Sequence, residues 1–210
     1  MKKWRAVFLI CVSLTPLFAQ GNVDNYSNVA LSYDVNYEIA KIDGTTIDTT
    51  LNSMGAAWNI FTFKPEKQVG VFSYLGMYKP LGGVIRTGGV GVPYSLFDTG
   101  FSFGEAFMIG PGFRKKSGAN IEILAGVGPA LYFFGLGSGA TNGLVLQVGL
   151  GGDVNINFCL SERMYLNLGL RAQASFYSYT FVFDPTVASF KPTNYRSYAI
   201  NPRLGIGFRH

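Results

Sequence analysis

Residues 144–160 read LVLQVGLGGDVNINFCL. The even positions are Leu144, Leu146, Val148, Leu150, Gly152, Val154, Ile156, Phe158 and Leu160, and the odd ones from 147 to 157 are Gln, Gly, Gly, Asp, Asn and Asn. A side-chain period of two is that of a β-strand, here with one apolar and one polar face. Strands in water-soluble domains usually run about 3–10 residues, so an alternation this long calls for an apolar layer wide enough to cover it. A lipid bilayer is such a layer.

The pattern recurs along the chain. Val29, Leu31, Tyr33, Val35, Tyr37 and Ile39 oppose Ala30, Ser32, Asp34, Asn36 and Glu38, and Met54, Ala56, Trp58 and Ile60 oppose Ser53, Gly55, Ala57 and Asn59. Residues 68–78 are aromatic and glycine-rich, with no readable phase. Phe107, Ile109, Pro111 and Phe113 oppose Met108, Gly110, Gly112 and Arg114; Ile121, Ile123, Ala125, Val127, Leu131 and Phe133 oppose Glu122, Gly126, Gly128, Ala130 and Tyr132. After the opening stretch, Leu166, Leu168, Leu170, Ala172, Ala174 and Phe176 oppose Asn167, Gly169, Arg171, Gln173, Ser175 and Tyr177. In the last segment Tyr198, Ile200, Leu204, Ile206 and Phe208 oppose Ser197, Asn201, Arg203, Gly205, Gly207 and Arg209. The segments predict an all-β, antiparallel, up-and-down transmembrane barrel of about eight strands, or about ten if residues 79–98 hide a further hairpin.

The connections alternate in length. Those at 64–67, 115–120 and 161–163 are short and polar, whereas 41–50, 79–98, 135–142 and 182–194 are longer. Short periplasmic turns and long external loops are the outer-membrane arrangement, and both termini then lie in the periplasm. Phe113, Phe158 and Phe208 near the short-turn ends, with Tyr37, Phe133, Phe176 and Tyr198 near the others, form the two aromatic girdles expected at the interfaces. Pro111, Pro129 and Pro202 fall inside strands of a wall without edges, so each is expected at a bulge or an irregular place in the ladder. Glu105, in the lipid-facing phase, is expected at the outer interface or above it.

Residues 1–19 stand apart. Lys2, Lys3 and Arg5 precede a short apolar run at 6–14, and Ala19 offers a cleavage point before Gln20. This is the pattern of a secretory signal peptide, too short to span a membrane, and it leaves 20–210 as the barrel. Ile10, before Cys11, is bulky where a lipoprotein site takes a small residue. Without the three signal cations, 14 basic residues face 12 acidic ones, a net charge of +2. That balance gives no support for a nucleic-acid partner. Cys159 is then a single thiol, so no internal disulfide is expected. No apolar run beyond the signal approaches the roughly 18–20 residues of a membrane helix, which leaves the barrel as the way to span a bilayer.

The inward phase carries Asp34, Glu38, Arg114, Glu122, Asp153, Arg171 and Arg203 among Gly, Ser, Asn and Gln. A ligand carrier in water would be apolar inside and polar outside, the reverse of this chain. About eight strands give an interior that side chains fill, so the charges read as a plug, with a pore lining as the alternative. A turn at 161–163 sets Asp153 opposite Arg171, and Asp34 and Arg203 lie at matching depth on the first and last strands. Two ion pairs are therefore expected, Asp153 with Arg171 and Asp34 with Arg203. The one histidine is His210, a chain end. No Ser-His-Asp triad or His/Cys metal site can be built around it, so no catalytic residue, metal site or cofactor is expected. Gly135, Gly137 and Gly139 lack the following helix that a phosphate-binding loop needs.

Signal, alternating strands, alternating connections and a final strand with Leu204, Ile206 and Phe208 together resemble the small outer-membrane β-barrel proteins, the group containing OmpX, OmpW and the OmpA membrane domain. The resemblance is architectural and covers 20–210. It implies folding by the barrel assembly machinery, which reads the final strand; the chain departs from the usual aromatic end by closing on Arg209-His210. The expectation is a monomeric, non-enzymatic outer-membrane protein whose partners are the membrane lipids and that machinery. Its role would be structural or surface-interaction, carried by the loops at 79–98 and 182–194, where Val84, Ile85, Tyr94, Leu96, Val187 and Phe190 are the candidate binding residues. Two rivals stay open: a narrow channel or carrier for small hydrophobic solutes, and a lipid-modifying barrel enzyme, which the missing histidine disfavours.

Overall fold

A computed structural model describes residues 23–42, 44–96, 101–138, 141–182 and 193–210. The signal peptide assigned to 1–19 lies outside them. The alternating segments become β1 (Asp24–Ile42), β2 (Thr45–Phe63), β3 (Val69–Thr87), β4 (Val90–Ser95), β5 (Phe101–Ser117), β6 (Ile121–Ser138), β7 (Thr141–Cys159), β8 (Met164–Val182) and β9 (Thr193–Arg209). Eight of them close into an antiparallel ring, β1-β2-β3-β5-β6-β7-β8-β9, sealed by β9 against β1. β4 stands outside the ring and pairs with β3.

The two faces fall as the period-two pattern requires. Leu31 is 78 % exposed and Leu150 58 %, while Asp34, Asn59, Asn155 and Arg171 are 0 % exposed. Val29, Val154, Leu168, Leu170, Ile200, Leu204 and Ile206 continue an exposed apolar belt around the outside. Such a belt is far beyond what a soluble surface carries, and it matches the lipid-facing band of a transmembrane barrel.

The strands are longer than the sequence pattern marks. A strand crossing the hydrocarbon needs about 9–11 residues, and those of the ring run 17 to 19. The loop expected at 41–50 is a continuation of β1 and β2 around a tight turn, where Gly44 holds φ +82°. Above the bilayer both faces of a strand meet water, so the apolar period that reveals it disappears. Residues 79–98 do hide a hairpin, turning at Gly88 and Gly89 with φ +59° and +84°. It adds one short strand outside the ring, giving nine strands among the described residues where about ten had been the alternative.

One phase differs from the expectation, and one that the sequence leaves open is fixed. Tyr177, expected inward, is exposed, because β8 carries an extra residue: Val148 faces Tyr177 while Gly149 faces Ser175. Phe176 is bulged out, and the inward positions beyond it are even, beginning with buried Ser178. In β3 the inward residues are Phe72, Tyr74, Gly76 and Tyr78. Both faces of this strand are apolar, which is why no phase is readable in its sequence.

Pro111, Pro129 and Pro202 occupy interrupted stretches of ladder with no shift of register. Between β5 and β6 pairing stops at Met108–Ala130 and resumes at Gly112–Gly126, and Pro111 and Pro129 both lie in that gap. Between β1 and β9 it stops at Ser32–Arg203 and resumes at Val35–Ile200. Asn25 and His210 exchange both backbone hydrogen bonds, so the alternation of an antiparallel ladder makes Tyr33 and Pro202 a hydrogen-bonding pair. Pro202 has no N–H, and Asn201 Nδ2 donates to the Tyr33 carbonyl instead, at 3.2 Å.

Candidate functional site

The lumen buries a set of charges arranged in levels. At the short-turn end Arg114 ion-pairs with Asp24 and also donates to the carbonyls of Lys67 (2.7 Å) and Lys64 (3.2 Å). Glu122 accepts from Tyr26 Oη at 3.2 Å and lies 3.6 Å from Lys116 and 3.7 Å from Arg209. Arg209 also reaches Asp24 at 3.5 Å. Asp24 and Arg209 thus complete a rim cluster of which sequence reasoning singled out only Arg114 and Glu122.

Above the rim the lumen is aromatic. Tyr26, Phe61, Phe63, Phe72 and Tyr165 are buried together, with Phe61 and Phe72 centroids 5.0 Å apart. Gly126 and Gly207 make room for these rings: a Cβ on either would stand 2.2–2.3 Å from Phe72 or Tyr165.

The middle level holds two ion pairs, with partners exchanged relative to the expectation. Asp153 does face Arg171 across the β7–β8 ladder. Arg171 nevertheless binds Asp34 on β1 (Nη2–Oδ1 2.9 Å), and Arg203 on β9 reaches Asp153 on β7 (2.7 Å). Each arginine passes over the strand between. Gly169 on β8 provides the passage for Arg203, whose Nη2 lies 2.6 Å from where a Cβ would be. In a narrow barrel, inward side chains converge on the axis, so a long arginine meets an acid across a chord more readily than a short acid beside it. Tyr74 packs against both guanidiniums, at 4.8 Å from Arg171 and 5.0 Å from Arg203, a desolvated cation–π contact on each side. Its hydroxyl is hydrogen-bonded to that of Tyr78. Below the arginines Asn59 donates to Asp153 (3.1 Å) and Asn167 to Asn157 (2.7 Å).

The outer level is a floor of amides. Ser197 donates to Asn36 (2.6 Å), Asn36 to Gln147 (3.3 Å), and Gln147 and Asn36 both to Glu38. The seven inward charges are therefore three separate groups: Arg114 and Glu122 at the rim, Asp34, Asp153, Arg171 and Arg203 in the middle, and Glu38 alone outermost.

Four of the six candidate binding residues sit on or beside the outer hairpin. Val84 and Ile85 belong to β3, Tyr94 to β4, and Leu96 follows β4. Leu96 is 8 % exposed, so it offers no surface, whereas Ile85 is 40 % exposed. Tyr94 is partly buried and its hydroxyl donates to the Thr50 carbonyl at 3.3 Å. Val187 and Phe190 lie outside the described residues. No cluster of His, Cys, Asp and Glu able to hold a metal occurs among the described residues.

No protein-family model matches the sequence, and no curated protein matches it. Solved structures do match the fold. The outer membrane protein OprG from Pseudomonas aeruginosa superposes with a TM-score of 0.57 at 13 % identity, over 89 % of this chain and 95 % of that one. This chain has the fold of the small outer-membrane β-barrels. The outer membrane protein AlkL, determined in DMPC bilayers, is similar at TM-score 0.54 and 15 % identity, over 90 % of this chain and 91 % of that one. Neisserial surface protein A follows at TM-score 0.52 and 11 % identity, over 87 % and 96 %.

Proposed function

We propose that this chain is a monomeric, non-enzymatic protein of a bacterial outer membrane, a closed barrel whose outward role is carried by the strand ends and hairpins above the bilayer. The observation that carries this reading is the burial of Arg171. It is 0 % exposed in mid-lumen, together with Asp34, Asn155 and Asn201, and side chains lining a wet pore would be exposed to it. The middle of the barrel is a plug, so recognition falls to the outer end. There the β3–β4 hairpin rises beyond the ring and bares Ile85, Val90 and Val92.

The test displays the protein on bacteria and probes an array of extracellular proteins and glycans, with and without the hairpin at 79–98 and the connection at 182–194 shortened. The reading expects the shortened barrel to stay folded, with heat-modifiable migration on gels, and to lose the ligand that the full chain captures. Capture unchanged by shortening would overturn it.

One observation favours the carrier as a second reading. The β3–β5 ladder ends at Tyr78–Gly104, and β3 takes up its next partner on that edge, β4, only at Gly82. Across that interval Lys79 Nζ bonds Ser102 Oγ at 2.7 Å, where backbone pairing has ceased. A small apolar solute leaving the outer lumen sideways would pass here. Vesicle uptake of an apolar dye, lost when cysteines replacing Lys79 and Ser102 are cross-linked, would support this reading; no uptake by the full chain would remove it.

A further inference from the structure

Glu38 differs from the other inward acids. Asp24, Asp34, Asp153 and Glu122 each meet a lysine or arginine, while among the described residues Glu38 makes no ion pair. Its two amide donors, Asn36 Nδ2 at 3.4 Å and Gln147 Nε2, both reach the same oxygen, Oε1. Three tyrosines from three strands, Tyr94, Tyr132 and Tyr195, lie within electrostatic range of its carboxylate. Tyr132 and Tyr195 are 1 % and 7 % exposed, and their hydroxyls have no well-formed hydrogen bond, only loose approaches to Ser53 and to Ser178 and Ser197.

The walls above Glu38 are apolar. Cross-strand partners share a face, so buried Leu51 places Gly83 and, through it, Tyr94 toward the axis. Thr49, two residues along β2, places Ile85 and Val92 there too. Ile85 is 40 % and Val92 61 % exposed while facing the axis. Glu38 is itself half-buried, so solvent reaches it from the outer end and stops at the buried floor of Asn36, Gln147 and Ser197. The result is a blind chamber, apolar and aromatic at the sides, with an uncompensated carboxylate at its base.

We propose that this chamber binds organic cations, a protonated amine bearing an apolar group. An ammonium at the base meets the Glu38 carboxylate and the faces or hydroxyls of the tyrosines, while the apolar part lies along Ile85 and Val92. Charge-assisted hydrogen bonds and cation–π contacts gain strength in such a partly dehydrated site. A neutral solute leaves Glu38 uncompensated, and an anion is repelled. The inference goes beyond the surface role and rests on the lumen's own geometry, so its failure leaves the closed-barrel reading intact.

Titration calorimetry on the full chain in nanodiscs, with phenethylammonium, 2-phenylethanol and phenylacetate as probes, tests it. The ammonium should bind at least about tenfold more tightly than either analogue, and Glu38→Gln should weaken it by about tenfold or more without changing the alcohol. Val92→Lys, on the hairpin outside the ring, guards against a folding artefact: it should keep the heat-modifiable mobility of the folded barrel and still weaken the ammonium. Equal binding of ammonium and alcohol, or ammonium binding indifferent to both substitutions, would overturn the proposal.

Discussion

Arg171 ion-pairs with Asp34 at 2.9 Å, two strands away, although Asp153 faces it directly across the β7–β8 ladder. Arg203 takes Asp153 in turn. These crossed pairs tie β1 to β8 and β7 to β9, so the lumen braces the seam where the barrel closes.

Removing one partner of a buried pair leaves an uncompensated charge, a loss of about 3–5 kcal/mol. Asp34→Ala should therefore destabilise by that order, and a double-mutant cycle should show stronger coupling of Arg171 to Asp34 than to Asp153. Denaturant titrations of the refolded protein in vesicles measure both couplings. Stronger coupling to Asp153 would restore the pairing expected from adjacent strands.

Gly169→Ala places a methyl 2.6 Å from Arg203 Nη2 and 2.9 Å from its Nε. The guanidinium must move off Asp153, and a loss of about 1–3 kcal/mol is expected from this overpacking. Gly152→Ala is the control: it faces lipid, its nearest neighbour is 3.7 Å away, and its effect should stay within about 0.5 kcal/mol. Equal effects in the same titrations would mean that Arg203 does not cross β8 at Gly169.

Asn201→Ala strips the Tyr33 carbonyl of the donor that replaces the missing Pro202 N–H. The expected loss is about 1–3 kcal/mol. Pro202→Ala made in that background supplies a backbone N–H and should recover part of it. No recovery in the double variant would show that Asn201 acts elsewhere.

The outer belt makes a depth-dependent prediction. Arginine at Leu150, 58 % exposed near mid-strand, should cost about 2–4 kcal/mol, against about 0–1 for arginine at Leu160 beside the periplasmic turn. Folding titrations in lipid vesicles compare them. A flat profile would place the belt outside the bilayer.

How much of this was legible in the sequence follows from where the bilayer imposes a period. Along β7 and β9, lipid on one face and amides or arginines on the other leave a clean alternation, and phase could be read residue by residue; register was readable only between β7 and β8, through the turn at 161–163. Along β3 the lumen partner is aromatic, so Phe72, Tyr74 and Tyr78 hide the period in a strand apolar on both faces. The strand ends around Thr45 and Thr87 are exposed on both faces and carry no period at all. For the ion pairs, Asp153 was correctly set opposite Arg171, but the reach of an arginine across a glycine is a property of the closed lumen, invisible strand by strand. That Glu38 makes no ion pair among the described residues emerges only once all inward faces are assembled.

The central claim is that the lumen is closed at the level of Arg171 and Asp34. Planar-bilayer recordings test it most directly, using full-chain protein whose heat-modifiable migration shows it to be folded. A closed lumen gives a flat current with no steady single-channel steps; stable conductance steps from the unmodified protein would show it to be open.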